Sequence, residues 1–275
     1  MKKILLGLCL FVLLGCSNNS NAENNQLVVG MECNYAPFNW TQLNDDNGAI
    51  KISNTEGYCA GYDVEIAKLI ADELGLELVI KKVTDFDALP SEANTNQIDL
   101  IIAGMSATQE RLKVLAFSEP YYFSDLVLVV RKDGDYTEAT SIQDFNGARV
   151  SAQIGTMHVG FISQINGVNQ STSLSDFPTL TIALKSGDID AFVSERPVAQ
   201  AITANNSDLT FVDFEEELGF SLTNEDETEL AVSIGMRRNE NELLEKVNAI
   251  LNGLSHEERD GLMRDAIINQ PEAGE

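Results

Sequence analysis

The stretch QIDLIIAGMSATQER, residues Gln97–Arg111, decides the fold. Its pattern predicts an apolar strand over Ile98–Gly104, a turn, and a helix that Thr108 caps. Such a turn offers free backbone N–H groups, and its glycine lets a ligand approach the main chain. Arg111 adds a planar cation that suits a carboxylate. The stretch therefore predicts a carboxylate site, unless Ser106 and Thr108 only cap the helix and Arg111 pairs with a surface acid.

A second stretch, GDIDAFVSERP at Gly187–Pro197, repeats this order of an apolar strand followed by polar residues at a helix start. It supplies Glu195, and Pro197 lies in the first turn of the next predicted helix. In open α/β sheets, ligands bind beyond the carboxyl ends of strands. Because Arg111 is a cation and Glu195 an anion, the two turns together predict a site for a zwitterion.

Predicted strands and helices alternate from Leu27 onward, which indicates an α/β fold with a parallel sheet and right-handed crossovers. The first series consists of a strand at Leu27–Met31, a helix at Tyr62–Leu74, a strand at Glu77–Val83, a short helix at Phe86–Ala93 and the strand at Ile98–Gly104.

A polar segment, KDGDYTEATS at 132–141, marks the passage into a second α/β series. That series runs to a predicted strand at Leu209–Phe214, and an acidic loop follows it. The last strand, Leu230–Met236, and two helices are too few for a domain of their own, so we expect them to pack on the first unit. This gives lobe 1 over residues 27–129 and 233–275 and lobe 2 over 130–232, joined by a two-strand hinge.

Residues 1–15, MKKILLGLCLFVLLG, resemble a bacterial lipoprotein signal peptide that ends before Cys16. The apolar run is too short to span a bilayer. The resemblance implies cleavage before Cys16 and acylation of that cysteine, which would anchor the protein outside the cytoplasmic membrane. An ordinary secretory signal is the alternative. Residues 16–26 are Asn-rich and predict a flexible tether.

The chain is strongly acidic, with a formal net charge of -25 over 275 residues. Loss of Lys2 and Lys3 with the signal changes this to -25 minus 2, or -27. Such a charge repels phosphate backbones and argues against nucleic-acid binding. We expect a monomer.

Two cysteines, Cys33 and Cys59, remain once Cys9 leaves with the signal and Cys16 is lipidated. In an exported protein they suggest one disulfide, with two buried free thiols as the alternative. No metal site is predicted, because His158 and His256 are the only histidines and neither lies at ligand spacing with the cysteines.

Several ordered motifs resemble those of the family 3 extracellular solute-binding proteins of amino-acid ABC importers. They are GMECNYAPFNW at Gly30–Trp40, GYDVEIA at Gly61–Ala67, DFDAL at Asp85–Leu89, IDLIIAGMSATQER at Ile98–Arg111, FSEPYY at Phe117–Tyr122 and QIGT at Gln153–Thr156. The similarity extends from Leu27 to about Ile268 and favours members that bind arginine and other basic amino acids.

This resemblance implies a type II periplasmic-binding-protein-like fold, in which two α/β lobes close over a ligand in the cleft. It implies no cofactor and no enzymatic activity. The partners it implies are a free amino acid, a membrane permease and the ATPase subunits of the importer. The ATPase must be another chain, because this sequence has no G-x-x-x-x-G-K-[ST] motif.

The resemblance also implies roles for individual residues. The α-carboxylate would bind Arg111 and the backbone N–H of Ser106, with Thr156 adding contacts from the facing lobe. Met105, in the same turn, also counts among the implied ligand-binding residues. The α-ammonium would bind the Gly104 carbonyl, the Ser106 hydroxyl and Glu195. The ligand side chain would lie between Tyr35 and Phe86.

The chain departs from the family pattern at three positions. Many members have Asp at the position of Glu195, and some members for basic ligands have Asp at that of Glu32. Others carry a polar amide where this chain has His158, whose role stays open.

The prediction that the site prefers a basic ligand depends on Glu32. A carboxylate enclosed without a partner costs several kcal/mol, so closure over a neutral side chain is penalised unless the acid is protonated or hydrated. The formal charges of Arg111, Glu195 and Glu32 sum to minus one, which a basic amino acid balances and glutamine does not. In the alternative, Glu32 faces solvent or pairs with Lys51, and the ligand is a neutral polar amino acid.

An enzyme on the same scaffold is a further alternative, since some relatives of this fold dehydrate cyclohexadienyl substrates. Glu32 or Glu195 would then act as the general acid. The sequence offers no nucleophile and base pair or metal cluster in support, so a binding protein is predicted.

Overall fold

The computed structural model describes residues 25–215, 217–222 and 231–271. The predicted signal peptide, Cys16 and nearly all of the tether lie outside these residues. Within them, no helix combines the length and apolar character needed to cross a membrane.

The described residues form two five-stranded sheets and one four-stranded sheet. In chain order the strands are β1 Gln26–Met31, β2 Asn34–Tyr35, β3 Asn39–Gln42, β4 Ile50–Lys51, β5 Tyr58–Ala60, β6 Glu77–Lys82, β7 Leu100–Ile101, β8 Leu115–Phe117, β9 Leu126–Arg131, β10 Arg149–Ser151, β11 Asn169–Gln170, β12 Ala191–Glu195, β13 Leu209–Val212 and β14 Gly235–Arg237. The α-helices are α1 Tyr62–Leu74, α2 Leu89–Asn94, α3 Gln109–Leu112, α4 His158–Phe161, α5 Phe177–Ser186, α6 Arg196–Asn205, α7 Asn241–Gly253 and α8 His256–Asn269.

The first sheet has the strand order β6-β1-β7-β14-β8. Strand β1 lies parallel to both β6 and β7, as the alternating pattern predicted. Helices α7 and α8 both pack on α1, so the end of the chain returns to this first unit. Strand β1 begins at Gln26, the last residue of the predicted tether.

Helix α1 forms because apolar side chains recur along one face, and five of them, Val64, Ile66, Ala67, Ile70 and Ala71, are buried. Gly75 ends the helix in the left-handed conformation, at a φ of 68°. The predicted and observed bounds of this helix agree.

The second sheet has the order β11-β10-β12-β9-β13, with β10 parallel to β12 and β9 antiparallel to both of its neighbours. Strand β9 is buried on both faces, because Val127 and Val129 join one apolar core and Leu128 and Val130 join the other. The predicted lobe boundary between residues 129 and 130 runs through β9, which pairs only within this sheet. The chain therefore passes between the sheets before Leu126. We call the first sheet with its helices the first unit, and the second sheet with its helices the second unit.

The four-stranded sheet has the order β2-β3-β5-β4 and packs beside the first sheet. Its strands β2 to β5 lie between the strand predicted at Leu27–Met31 and the helix predicted at Tyr62–Leu74, where no element was predicted. Its strands are short and carry polar residues, so they lack the alternating pattern that reveals a strand. Cys33 and Cys59 are joined by a disulfide, with Cα atoms 5.8 Å apart, so the alternative of free thiols is wrong for this structure.

Candidate ligand-binding cleft

The predicted site turns meet between the two large sheets. The Gly104–Ser106 turn follows β7, Glu195 ends β12, and the Gln153–Thr156 turn follows β10. A cavity of about 20 Å³ lies where they meet. Its lining residues are Tyr35, Phe86, Gly104, Ser106, Arg111, Gln153, Thr156, Met157, His158 and Glu195. Such a volume accommodates about one water molecule and no amino acid.

Arg111 lies at this cavity rather than on an outer surface. Helix α3 begins where the Thr108 hydroxyl accepts a hydrogen bond from the Arg111 N–H at 3.3 Å. The guanidinium donates from Nη1 to the Ser106 carbonyl and from Nη2 to the Gly155 carbonyl, both at 2.9 Å. It also lies 4.9 Å above the ring centroid of Phe86, in cation–π geometry. Because Gly155 follows β10 of the second sheet, Arg111 bridges the cleft.

Gly104 occupies a position that only glycine fits. Its φ is 59°, and a Cβ there would lie 2.5 Å from Cε1 of Tyr35. Its N–H donates to the Tyr121 hydroxyl at 3.1 Å, and that hydroxyl donates to the buried carboxylate of Asp63 at 2.7 Å. The buried Tyr121 hydroxyl and Asp63 carboxylate thus stabilise the turn that carries the predicted ligand contacts.

Glu195 faces the cavity from the second sheet and is only 6% exposed. Its Oε2 accepts a hydrogen bond from the Tyr35 hydroxyl at 2.5 Å, and its Oε1 lies 3.2 Å from Nε2 of His158. Burial alone would raise the pKa of Glu195, but the contacts with His158 and Tyr35 outweigh it and lower the pKa below its ordinary value. Glu195 is therefore an anion held at the cleft.

Glu32 is 2% exposed, at the end of β1. Both of its oxygens accept from Nε2 of Gln153, at 3.3 and 3.4 Å, so the alternative in which Glu32 faces solvent or pairs with Lys51 does not hold here. The pKa of Glu32 is raised to about 8, mainly by burial. The hydrogen bond from Gln153 opposes this rise, and the carboxylates of Asp176, Asp85 and Asp87 contribute to it. This end of the cleft is electronegative and poorly hydrated.

Met105 and Glu32 are the predicted site residues that do not line the cavity itself. The Met105 side chain is fully buried and lines a neighbouring groove beside Pro90 and Val114. Glu32 is connected to the cavity through its bond with Gln153. Only the backbone of Met105 belongs to the turn at the cavity.

Gln153, Met157 and Phe177 also lie at the cleft, although the sequence predicted no role for them. Gln153 is the first residue of the QIGT motif and lies at the end of a predicted strand, so its position could have indicated a place in the cleft. Phe177 stacks on Tyr35 with ring centroids 5.0 Å apart, and nothing local to its sequence indicates that contact. Among the described residues, no group of three or more His, Cys, Asp and Glu side chains could hold a metal ion.

Comparison with known protein families gives one match that spans most of the chain. The model of the bacterial extracellular solute-binding proteins, family 3, matches residues 27–264. This agrees with the resemblance inferred from the motifs.

Individual relatives point the same way. A probable histidine-binding protein of Campylobacter jejuni is 31% identical over 195 residues, which is 70% of each chain. The arginine-binding extracellular protein ArtP of Bacillus subtilis is 29% identical over 263 residues, which is 91% of this chain and 92% of that one.

The fold also matches a solved structure. An amino acid ABC transporter substrate-binding protein, AbpA from Streptococcus pneumoniae, bound to L-arginine, superposes with a TM-score of 0.73 at 31% identity. The match covers 89% of this chain and 95% of that chain.

Proposed function

Because the chain belongs to the family 3 bacterial extracellular solute-binding proteins, we propose that it captures a free L-amino acid for an ABC importer and that its preferred ligand is arginine or another basic amino acid. The observation that carries this proposal is the placement of Arg111 and Glu195 around one cavity between two sheets, with Glu32 bonded to Gln153, which lines that cavity.

The backbone of the amino acid fits the two opposed charges. In this proposal Arg111 and the Ser106 N–H hold the α-carboxylate, with Thr156 from the facing unit. The α-ammonium goes to Glu195, whose lowered pKa keeps it ionised, and to the Gly104 carbonyl. Tyr35 and Phe86 flank the side chain.

The contacts across the cleft must separate before a ligand enters, because the cavity of about 20 Å³ is far too small for an amino acid. We therefore propose that the two units act as hinged lobes. Lobe 1 would comprise the residues before β9 and those from Ser233 onward, and lobe 2 the residues between them. Ligand binding would shift the population towards the closed form that docks on the permease.

Glu32 supports a basic ligand. It is buried, it has no cation among its hydrogen-bond partners in the described residues, and three further carboxylates act on it. A guanidinium or ammonium at this end would supply the missing positive charge. Losing one member of a buried charge pair costs roughly 2–5 kcal/mol, or about thirty-fold and more in affinity.

A neutral polar amino acid such as glutamine is the second candidate, and one observation favours it. With a pKa of about 8, Glu32 is largely protonated at neutral pH in the arrangement described. A protonated carboxyl can donate to a neutral amide oxygen, and the charges of Arg111 and Glu195 then balance without a cationic side chain.

Isothermal titration calorimetry with a matched ligand pair separates the two candidates. Arginine and citrulline have nearly the same shape and differ in side-chain charge. We expect arginine to bind at least about thirty-fold more tightly than citrulline. Equal affinities would favour the neutral ligand, and failure of all the common L-amino acids to bind would contradict the proposed function.

The cellular location of the protein is the subject of a separate proposal. We propose that Cys16 is lipidated and anchors the chain outside the cytoplasmic membrane, as expected for a family of extracellular proteins. A Cys16→Ser variant should appear in the soluble extracytoplasmic fraction, whereas the unchanged protein should sediment with membranes. Sedimentation of both forms would refute the anchor.

A further inference from the structure

We propose that Asp63 is a positioning residue of the ligand site, whose buried carboxylate holds both ends of that site in place. One branch of hydrogen bonds runs from it through Tyr121 to the Gly104 turn. The other branch runs through Asn39 to the backbone beside Glu32. The inference rests on the proposed function, because it concerns how the first unit is arranged to bind the same ligand.

Asp63 is a charged group in the interior of the protein. It is the second residue of α1 and has no solvent exposure. Burial raises its pKa to about 6, and hydrogen bonds from Tyr121, Asn39 and the Gly104 backbone oppose this rise. Asp63 is therefore mostly ionised at neutral pH. A buried carboxylate costs stability unless its oxygens are hydrogen-bonded, and here both of them are.

The first branch ends at the turn that is proposed to bind the backbone of the amino acid. Oδ1 of Asp63 accepts from the Tyr121 hydroxyl at 2.7 Å, and that hydroxyl accepts from the Gly104 N–H at 3.1 Å. Because Tyr121 donates its only proton to Asp63, its oxygen is left to accept from Gly104. The carboxylate thus sets the direction of both bonds.

The second branch ends at the backbone of Glu32. Oδ2 of Asp63 accepts from Nδ2 of Asn39 at 2.7 Å, and Oδ1 of Asn39 accepts from the Cys33 N–H at 2.7 Å. This N–H belongs to the peptide group that joins Cys33 to Glu32. Cys33 has a φ of 52°, which is uncommon for a residue other than glycine. The bond from Asn39 therefore supports an unfavourable backbone conformation directly beside Glu32.

This network requires an acceptor on both sides of position 63. The Asn39 amide presents its oxygen to Cys33, so it turns its NH2 group to Asp63. The Tyr121 hydroxyl accepts from Gly104 and likewise turns its proton to Asp63. In Asp63→Asn, one oxygen and one NH2 group replace the two carboxylate oxygens, so one branch loses its acceptor.

The Tyr121 branch is tested by Tyr121→Phe, which removes the hydroxyl and keeps the ring that stacks on Tyr62. The Gly104 turn is proposed to bind the part that all amino acids share. By calorimetry we therefore expect the affinities for arginine and citrulline to fall together, by about ten-fold, because the lost bond is one to a charged group. The ratio of the two affinities should stay as in the wild type.

The Asn39 branch is tested by Asn39→Leu, which removes the amide at similar volume. This change releases the backbone beside Glu32, the residue proposed to bind a cationic side chain. We expect arginine affinity to fall about ten-fold and citrulline affinity to fall less, so that their ratio decreases. Asp63→Asn, which weakens one branch or the other, should lose at least about ten-fold in arginine affinity.

Ser118→Ala is the matched control. Its buried hydroxyl, like that of Tyr121, accepts from a backbone N–H, that of Ile234 at 2.9 Å, and donates to an oxygen, the Glu119 carbonyl at 2.7 Å. Ser118 directly follows β8 of the first sheet and does not line the cavity. We expect Ser118→Ala to lower Tm while both affinities stay as in the wild type.

Wild-type arginine affinity in Asp63→Asn or Tyr121→Phe would overturn the inference. An unchanged ratio of arginine to citrulline in Asn39→Leu would also overturn it, as would an equal loss of affinity in Ser118→Ala. These results leave the proposed function standing, provided that the wild type binds amino acids. If the wild type binds none, the proposed function fails and this inference with it. Thermal unfolding of the ligand-free variants controls for folding, and Tyr121→Phe carries the test if the other variants do not fold.

Discussion

At the scale of single residues, we expect Glu32 to couple the charge of the ligand to pH. Its pKa of about 8 arises mainly from burial, so near pH 7 most ligand-free molecules with this arrangement carry the proton. A cationic side chain beside Glu32 favours the carboxylate and lowers this pKa. Binding of arginine at pH 7 should therefore release up to about one proton, and arginine affinity should rise with pH up to about 8, by at most about ten-fold per unit.

Calorimetry in buffers of different ionisation enthalpy measures this proton directly. Glu32→Gln should abolish the release, and citrulline should cause none in the wild type. Release of no proton with arginine would mean that its side chain does not meet Glu32.

The same residue predicts how the stability of the ligand-free protein depends on pH. A carboxyl whose folded pKa is raised binds its proton more tightly when folded, so its contribution to stability is complete below the ordinary value of 4.5 and is lost as pH rises through about 8. Between pH 6 and pH 8 we expect a loss of about 2 kcal/mol, or several degrees in Tm.

Thermal unfolding at pH 6, 7 and 8 tests this expectation, with Glu32→Gln as the control in which the slope should be much smaller. The carboxyls with lowered pKa values, such as Asp190 at about 2, titrate well below this window and do not interfere. Equal slopes in the two proteins would show that Glu32 titrates normally.

At the scale of single elements, the turn between β10 and α4 lies against the facing unit. Gly155 in this turn has a φ of 75°, and a Cβ there would overlap the carboxylate of Asp87 in the facing unit. Gly147 has a similar φ of 79°, but a Cβ there would meet nothing within 4 Å. The two glycines share a left-handed φ but differ in what a Cβ would meet.

Gly155→Ala and Gly147→Ala therefore form a matched pair. Both should lose about 1–2 kcal/mol of stability, because alanine is strained in the left-handed region. Only Gly155→Ala should lose arginine affinity, by about ten-fold or more, since its methyl group obstructs closure. Urea unfolding and calorimetry measure the two effects, and equal affinities of the two variants would show that the lobes close without this contact.

The sequence specifies some elements better than others, for physical reasons. Helix α1 was predicted with its observed bounds, because a long apolar stripe identifies the helix and Gly75 marks its end. The strand predicted at Ile98–Gly104 is observed only as Leu100–Ile101, since Gly104 turns away to form the site. The four-stranded sheet was missed, because its strands have only two to four residues. Strands this short show no recognisable alternation of apolar and polar residues.

The candidate site, too, was predictable only in part from the sequence. Tyr35, Arg111 and Glu195 follow or end strands in recognisable motifs, and the structure gathers them around one cavity. The bonds from Gln153 to Glu32 and from Tyr35 to Glu195 join residues 121 and 160 positions apart. Contacts at such separations depend on how the two units face each other, which no local pattern encodes.

At the scale of the whole molecule, three groups of the candidate site also form bonds between the two units. Arg111 donates to the Gly155 carbonyl, Tyr35 donates to Glu195, and Gln153 donates to Glu32. Each bond joins one unit to the other. A ligand must compete with these bonds, so their strength reduces its apparent affinity by the fraction of molecules that are open.

Removing two of these bonds should open the ligand-free protein. In Tyr35→Phe combined with Gln153→Ala, the hydrogen bonds to Glu195 and Glu32 are lost while the stacking of ring 35 on Phe177 is kept. Small-angle X-ray scattering should then show a larger radius of gyration than in the wild type without ligand, and saturating arginine should bring the two closer together.

A matched control makes the same chemical changes outside the cleft. Tyr136 stacks on Phe145, and Gln164 donates to the Ser221 carbonyl, all within the second unit. Tyr136→Phe combined with Gln164→Ala should leave the scattering curve unchanged, since neither residue touches the first unit. If the cleft variant also scatters like the ligand-free wild type, these two polar bonds do not set the distance between the units. The remaining contacts, among them the stacking of Tyr35 on Phe177 and the bonds from Arg111 to Gly155, from Asn205 to Pro271 and from Gln270 to Ala201, are then enough to hold them together.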